Sequence, residues 1–273
     1  MRRSPLIPAA LAVLVLLAGC APAADDAGTL AAPGTAAGGG STRDPITAAI
    51  PAEVAGYDCN SRPVDPRAYE ERKPLRSLGE DGAAALAEAS EGQAYEASLA
   101  EGGWSVLSAS ALRIEVMRAV AEPYDLGNGE IPPDHEYLAV ARVADPGEEP
   151  TWMVWSSSPC ALRLDHAGLE LATVAFEDLP DPASDRLTFL VTEHACNSGE
   201  DAAGRVQLLV LQETDERVEV AFGVRPDEDS GGEACHGNPG TPTTVALAEP
   251  LGDREVIDAG LEAPRPVGLR PGM

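Results

Sequence analysis

The side chains of this chain best suited to chemistry are its five cysteines and four histidines. His194 and Cys196, taken with Cys235 and His236, supply two sulfurs and two imidazoles, a donor set that can hold tetrahedral zinc. Their arrangement, His-x-Cys and an adjacent Cys-His, lacks the usual spacing between paired zinc ligands. Disulfide chemistry is therefore the better expectation, and no metal or cofactor is assigned. A serine hydrolase would need a Gly-x-Ser-x-Gly elbow, which the sequence does not contain. Ser156-Ser157-Ser158 and Asp165-His166 are the nearest substitute, but an adjacent Asp and His cannot readily face each other. Glu170, Glu177 and Glu193 are glycosidase-type carboxylates in a chain too acidic for any of them to stand out. Gly127-Asn128-Gly129 lacks the lysine and the following helix of a phosphate loop. The run Asp227 to Gly232 is similar in composition to a calcium loop, yet its twelfth position is Asn238 where a glutamate is required. Arg205, Arg225 and Arg254 can hold an anion or pair with nearby carboxylates, and pairing is the expectation because acidic residues surround all three. No catalytic residue is assigned.

The residue with the clearest assignment is Cys20. Arg2 and Arg3 precede an apolar run from Leu6 to Ala18, about half the ~20 residues a membrane-spanning helix needs, which reads as the core of an export signal. Leu17-Ala18-Gly19-Cys20 then resembles the lipobox of a bacterial lipoprotein. The resemblance implies cleavage after Gly19, a diacylglycerol on the Cys20 sulfur and palmitate-type acylation. Two or more chains are needed because one gives only marginal membrane binding. Residues 1–19 are thus expected as signal peptide and 20–44 as anchor and tether. The tether is built of Ala, Gly, Pro, Ser and Thr and cannot bury enough apolar surface to order itself. Its reach is roughly 25–30 Å, beyond a Debye length of ~8 Å.

That length suits the charge. The chain carries 45 Asp and Glu against 19 Lys and Arg, a net −26, and loss of Arg2 and Arg3 with the signal makes it more acidic. Such a surface is repelled by nucleic acid, which is excluded as a partner. The expected partners are the membrane, through lipidated Cys20, and envelope proteins, at the outer face of the cytoplasmic membrane. Lipidation leaves Cys59, Cys160, Cys196 and Cys235, an even number that reads as two disulfides in an exported protein, with three possible connectivities. Cys196 closes a predicted strand and Cys235 lies in the loop after another. Neighbouring strands can bring them together, so Cys196–Cys235 and Cys59–Cys160 are the favoured pairs.

The elements that would position these residues follow from periodicity. Arg62 to Arg72 is too rich in Pro and charge to read as regular structure. Ser77 and Glu80 have capping-box spacing ahead of an Ala/Glu/Leu-rich helical segment, weakened at Gly82 and Gly92 and ended by Gly102-Gly103. Beyond it the period becomes two. Strands are expected near 104–106 and 112–116 as a hairpin, then at 138–143, 152–155, 169–176, 187–192, 206–211, 218–224, 244–247 and 255–257. Turn signals between them, without helical pattern, favour antiparallel pairing. The fold class is α+β, mainly antiparallel β. Residues 45–160 form a helical segment with a strand meander and 161–262 a β-sandwich-like half (the two can also be one domain), followed by a disordered tail at 263–273.

From about Phe189 to Asp258 the chain also resembles a block of uncharacterised exported lipoproteins of actinobacteria. The residues that carry it include Glu193-His194-Ala195-Cys196-Asn197-Ser198-Gly199, Gly223-Val224-Arg225-Pro226, Cys235-His236-Gly237-Asn238-Pro239 and Glu249 to Arg254. The resemblance implies a β-rich, disulfide-bearing exported domain and supports pairing Cys196 with Cys235. It supplies no catalytic residue. The expected function is a non-enzymatic binding or interaction module anchored in the envelope. A small-ligand or cation-binding lipoprotein is the alternative, with an envelope hydrolase behind it.

Overall fold

Alternation of apolar and polar residues organises the larger part of the regular structure into strands. The structure, a computed structural model, describes residues 44–124, 131–144, 146–197, 199–227 and 237–270, which belong to one compact unit. Cys20, the tether to residue 43, Gly127-Asn128-Gly129, Glu228 to Gly232, Cys235 and His236 lie outside the described residues.

The first elements are short. Strand β1 (Val54–Asp58) pairs with β2 (Pro63–Val64). Helix α1 (Pro66–Glu71) then occupies the stretch expected to be irregular. Its start is written in Asp65-Pro66: the Asp65 carboxylate accepts from the Ala68 N–H at 2.9 Å, and Pro66 sits where a missing N–H costs nothing. After β3 (Lys73–Pro74), a 3-10 turn at Leu75–Leu78 leads into α2 (Gly79–Ser90) and α3 (Tyr95–Glu101). Ser77 is taken up by that turn, so the expected capping box does not form, and Leu78 precedes α2 without a side-chain cap. Gly82 is a requirement of the packing here, since a Cβ would lie 2.5 Å from that of Leu78. Gly92, at φ 68°, makes the break between the two helices.

Strands β4 (Ser105–Ala109), β5 (Arg113–Ala119), β6 (His135–Val143) and β7 (Thr151–Cys160) follow one another in an antiparallel sheet with β3 at its edge. The period of two gives this sheet two apolar faces. Ile114, Val116, Leu138 and Val140 pack under α2 against Ala85, Leu86 and Trp104. Met117, Tyr137 and Ala139 face the other way, onto Val64, Leu162 and the Cys59–Cys160 disulfide. That bridge spans 101 positions and ties the end of β1 to the end of β7, as expected.

Strand β8 (Arg163–His166) pairs with β1, and β9 (Ala172–Phe176), β10 (Arg186–Glu193), β11 (Val206–Glu213), β12 (Arg217–Val224), β13 (Thr241–Ala246), β14 (Glu255–Asp258) and β15 (Arg265–Pro266) complete the chain. One sheet has the order β13-β10-β9 and another β11-β12-β14-β15. Their inward residues share one core, with Phe189 stacked on Phe176 at 5.0 Å and 5.3 Å from Phe222. Among these strands pairing is antiparallel except between β12 and β14, and single parallel bridges join Ile46 to Val245 and Phe176 to Leu269. The intervening β13 belongs to the other sheet, so the chain crosses and returns before β14 lies beside β12. The tail expected to be disordered is instead tied down as far as residue 270. Val267 N–H donates to Val256, Phe176 N–H to Gly268, and Arg270 N–H to Phe176, at 2.8, 2.9 and 2.6 Å. Among the described residues no helix is long and apolar enough to cross a membrane.

Candidate functional site

The tail forms one wall of a large hollow. A cleft of about 680 Å³ opens between the C-terminal segment and the outward face of β9 and β10. A second hollow of about 300 Å³, among Leu75, Ala83, Leu86 and Leu99, is smaller and lies where α2 meets α3.

Strand alternation determines what the cleft receives. In β9, Ala172, Val174 and Phe176 are buried in the core, which turns Thr173 and Ala175 outward. In β10, Leu187, Phe189 and Val191 fill the core and Thr192 lines the cleft, with His194 two residues on. Thr173 and Thr192 are direct partners in the ladder, so their side chains stand side by side. No hydrogen bond from a described residue reaches either hydroxyl or the His194 ring. Burial lowers the His194 pKa, the nearby Arg163 guanidinium lowers it further, and together they hold the imidazole near 4. At neutral pH it is uncharged and carries one N–H.

Arg163 forms the floor. Its side chain is only 7% exposed; Nη1 donates to the Ala172 carbonyl at 2.8 Å and Nη2 approaches Asp258 Oδ2 at 3.4 Å. Asp258 Oδ1 accepts from the Gly260 N–H at 2.9 Å, which fixes the pair from the far side. Burial pulls the Arg163 pKa below its ordinary value, opposed by Asp258. The cleft is also lined by Arg265, Arg270 and Asn60. Asn60 Nδ2 donates to the Pro159 carbonyl at 2.7 Å and to Ser158 Oγ at 3.0 Å, next to the disulfide half Cys160.

The residues singled out by sequence scatter. Cys196 is engaged in a disulfide and is not a thiolate ligand, which removes it from the zinc set. Its expected partner Cys235 lies outside the described residues. Ser157 Oγ accepts from the Tyr95 hydroxyl, while both ring nitrogens of buried His166 have no hydrogen-bond partner among the described residues, and these side chains do not join in a triad. Glu193 is held by a bidentate Arg205, at 2.6 and 2.5 Å, and Glu177 is exposed. Arg254 pairs with Glu213 at 2.8 Å, and Arg225 donates to the Gly204 carbonyl at 2.5 Å. Structural pairing thus accounts for Arg205 and Arg254, while Arg225 is spent on a backbone carbonyl.

Sequence reasoning missed Arg163, Thr173, Thr192 and Asp258. Arg163 and Asp258 stand 95 positions apart, and the two threonines meet only through strand register. It also missed a polar chain behind the cleft. Asp134 Oδ1 lies 2.6 Å from His135 Nδ1, and His135 Nε2 lies 3.2 Å from the Tyr69 hydroxyl. Burial raises the Tyr69 pKa to about 12, with Glu262 adding to the shift. Comparison with family models, with curated proteins and with solved structures finds no match.

Proposed function

We propose that this chain is a lipid-anchored envelope protein, held at the outer face of the cytoplasmic membrane through Cys20, whose folded part binds a small ligand without turning it over. The observation that carries the binding role is the cleft of about 680 Å³, within the ~300–1,000 Å³ of small-molecule sites. Its polar groups are two hydroxyls, an imidazole, the Asn60 carboxamide, three guanidiniums and the Asp258 carboxylate. Among the described residues none of them is a nucleophile hydrogen-bonded to a base, the arrangement turnover would call for. The succession of basic head, apolar run and Leu17-Ala18-Gly19-Cys20 supports the anchor. The β9–β10–β13 and β11–β12–β14–β15 sheets are read as a sandwich-like support, because Phe189 packs between Phe176 and Phe222.

A role in protein interaction is favoured by a separate feature. Met153 and Trp155 on the edge strand β7 are 47 and 57% exposed, and Leu112, in the β4–β5 turn with β6 between it and β7, is 66% exposed.

Two measurements test the proposal. Labelled palmitate should enter the full-length protein expressed in a lipoprotein-processing bacterium and be absent from Cys20→Ser; equal labelling of both would overturn the anchor. For the cleft, native mass spectrometry is applied to the chain from residue 20 with Cys20→Ser, exported behind a cleavable signal. An adduct lost on denaturation, and missing from the cleft-filling Ala175→Trp variant, is the expected result. A bare native mass that no small-molecule mixture alters would overturn ligand binding.

A further inference from the structure

We propose that the cleft takes an amphiphilic small molecule with one anionic head group, its head seated against Thr173, Thr192 and His194 above Arg163 and its apolar body lying along the proline-rich wall toward Leu269. The inference rests on the ligand-binding reading above and specifies the class of ligand.

The charge around the cleft departs from that of the chain. On a protein of net −26, Arg163, Arg265 and Arg270 line this hollow against a single carboxylate, Asp258. Asp258 is already bound on both oxygens, by the Gly260 N–H and by Arg163. Arg265 is committed to Asp134. Arg163 at the floor is likewise paired with Asp258, so the positive charge left over is that of Arg270, exposed at the rim, for which no described carboxylate forms an ion pair.

Hydrogen-bonding capacity points the same way. The unpartnered groups on the β9–β10 face are hydroxyls that donate by rotating and an imidazole with one N–H. A ligand group with several lone pairs and a negative charge satisfies all three, and charge-assisted bonds of this kind are the strong ones. A cationic head would instead find the one lining carboxylate, Asp258, already bound on both oxygens, and would add its charge to that of Arg270 at a Coulomb cost.

The rest of the lining is apolar. Pro132, Pro159 and Pro266 form rigid walls, and Val267 and Leu269 continue them outward. Leu269 is 49% exposed although it belongs to a segment bonded to the sheet, which leaves a large apolar side chain at the cleft mouth with water on one side. An apolar ligand body covers it.

The test uses the same exported chain and titrates decanoate, decyl phosphate, decanol and decyltrimethylammonium below their micellar concentrations, read by calorimetry. The expected result is that decanoate or decyl phosphate binds at least tenfold more tightly than decanol, and that the cation does not bind. Thr192→Val, which keeps the side-chain shape, should weaken binding of the preferred anion about tenfold, and Arg270→Glu should weaken it without moving the melting temperature. Equal affinity for decanol and the anions, or preference for the cation, would overturn the inference, as would anion binding unchanged in Thr192→Val and Arg270→Glu. If no probe binds while native mass still shows an adduct that Ala175→Trp removes, the anionic amphiphile is wrong and the cleft remains a ligand site. If no probe binds and the native mass is bare, both readings fall.

Discussion

Arg265 and Asp134 lie 131 positions apart and meet in a charged hydrogen bond, with the same guanidinium donating to the Pro132 carbonyl at 2.6 Å. Asp134 also accepts from the Leu162 N–H at 3.0 Å and faces His135. Burial raises its pKa, but the bonds from His135 and Leu162 and the charge of Arg265 outweigh this and hold the carboxyl below its ordinary value. One carboxylate thus joins the tail, β6 and the segment before β8. Arg265→Met leaves Asp134, whose side chain is 11% exposed, without its cation. A loss of about 3 kcal/mol is expected in urea unfolding. A loss below about 0.5 kcal/mol, within the range of an exposed surface change, would show that the tail is held without this pair.

The Cys59–Cys160 bridge should count for more than any single contact near it. It closes a long loop, with 101 positions between the two halves, and joins segments that share a buried cluster with Tyr137 and Leu162. Cys59→Ala with Cys160→Ala is expected to cost about 2–5 kcal/mol, and reductant should lower the unfolding midpoint of the parent protein by more than that of the double variant, which keeps the disulfide at Cys196. An unchanged midpoint under reduction, with free thiols confirmed at Cys59 and Cys160, would contradict this.

Much of the β framework was legible because alternation is local. Leu187, Phe189 and Val191 mark β10 by themselves, and Val218, Val220, Phe222 and Val224 mark β12. Asp65-Pro66 was legible too, but counting prolines and charges over Arg62 to Arg72 hides a helix start that depends on position. Strand β8 carries no such pattern: its four residues include Arg163, whose burial makes sense only beside Asp258. The tail was misjudged for the same reason, since Pro and Gly content says nothing about Arg265 reaching Asp134. The cleft could not be read from sequence, because Thr173 and Thr192 become neighbours only through the pairing of β9 with β10.

Arg205 and Glu193 make a stricter test of geometry than of charge. The guanidinium meets both carboxylate oxygens, at 2.6 and 2.5 Å, while its Nη1 also donates to the Arg225 carbonyl at 2.8 Å. The Glu193 side chain is 3% exposed, so Arg205→Ala strands a buried charge and should cost about 3–5 kcal/mol. Arg205→Lys keeps the charge but loses the fork, and roughly 1–2 kcal/mol is expected. If Lys proves as costly as Ala in the same urea series, the second half of the account is wrong.

His194 sets the acid response of the cleft. Its pKa falls from the ordinary 6.5 to about 4 in the folded chain, through burial first and Arg163 second. The unfolded chain therefore takes up the proton at higher pH than the folded one. Stability from the neutral ring is complete above 6.5 and is lost as pH falls toward 4, by about 3 kcal/mol in all at 1.36 kcal/mol per unit. Asp134, whose folded value is depressed, adds a further loss at lower pH, below the ordinary carboxylate range. His194→Gln removes the first contribution and leaves the second. Between pH 7 and pH 4 the parent should lose about 3 kcal/mol more than the variant, measured as the difference in urea unfolding free energy at each pH. Parallel pH profiles for the two proteins would mean that the imidazole is not held neutral by its surroundings.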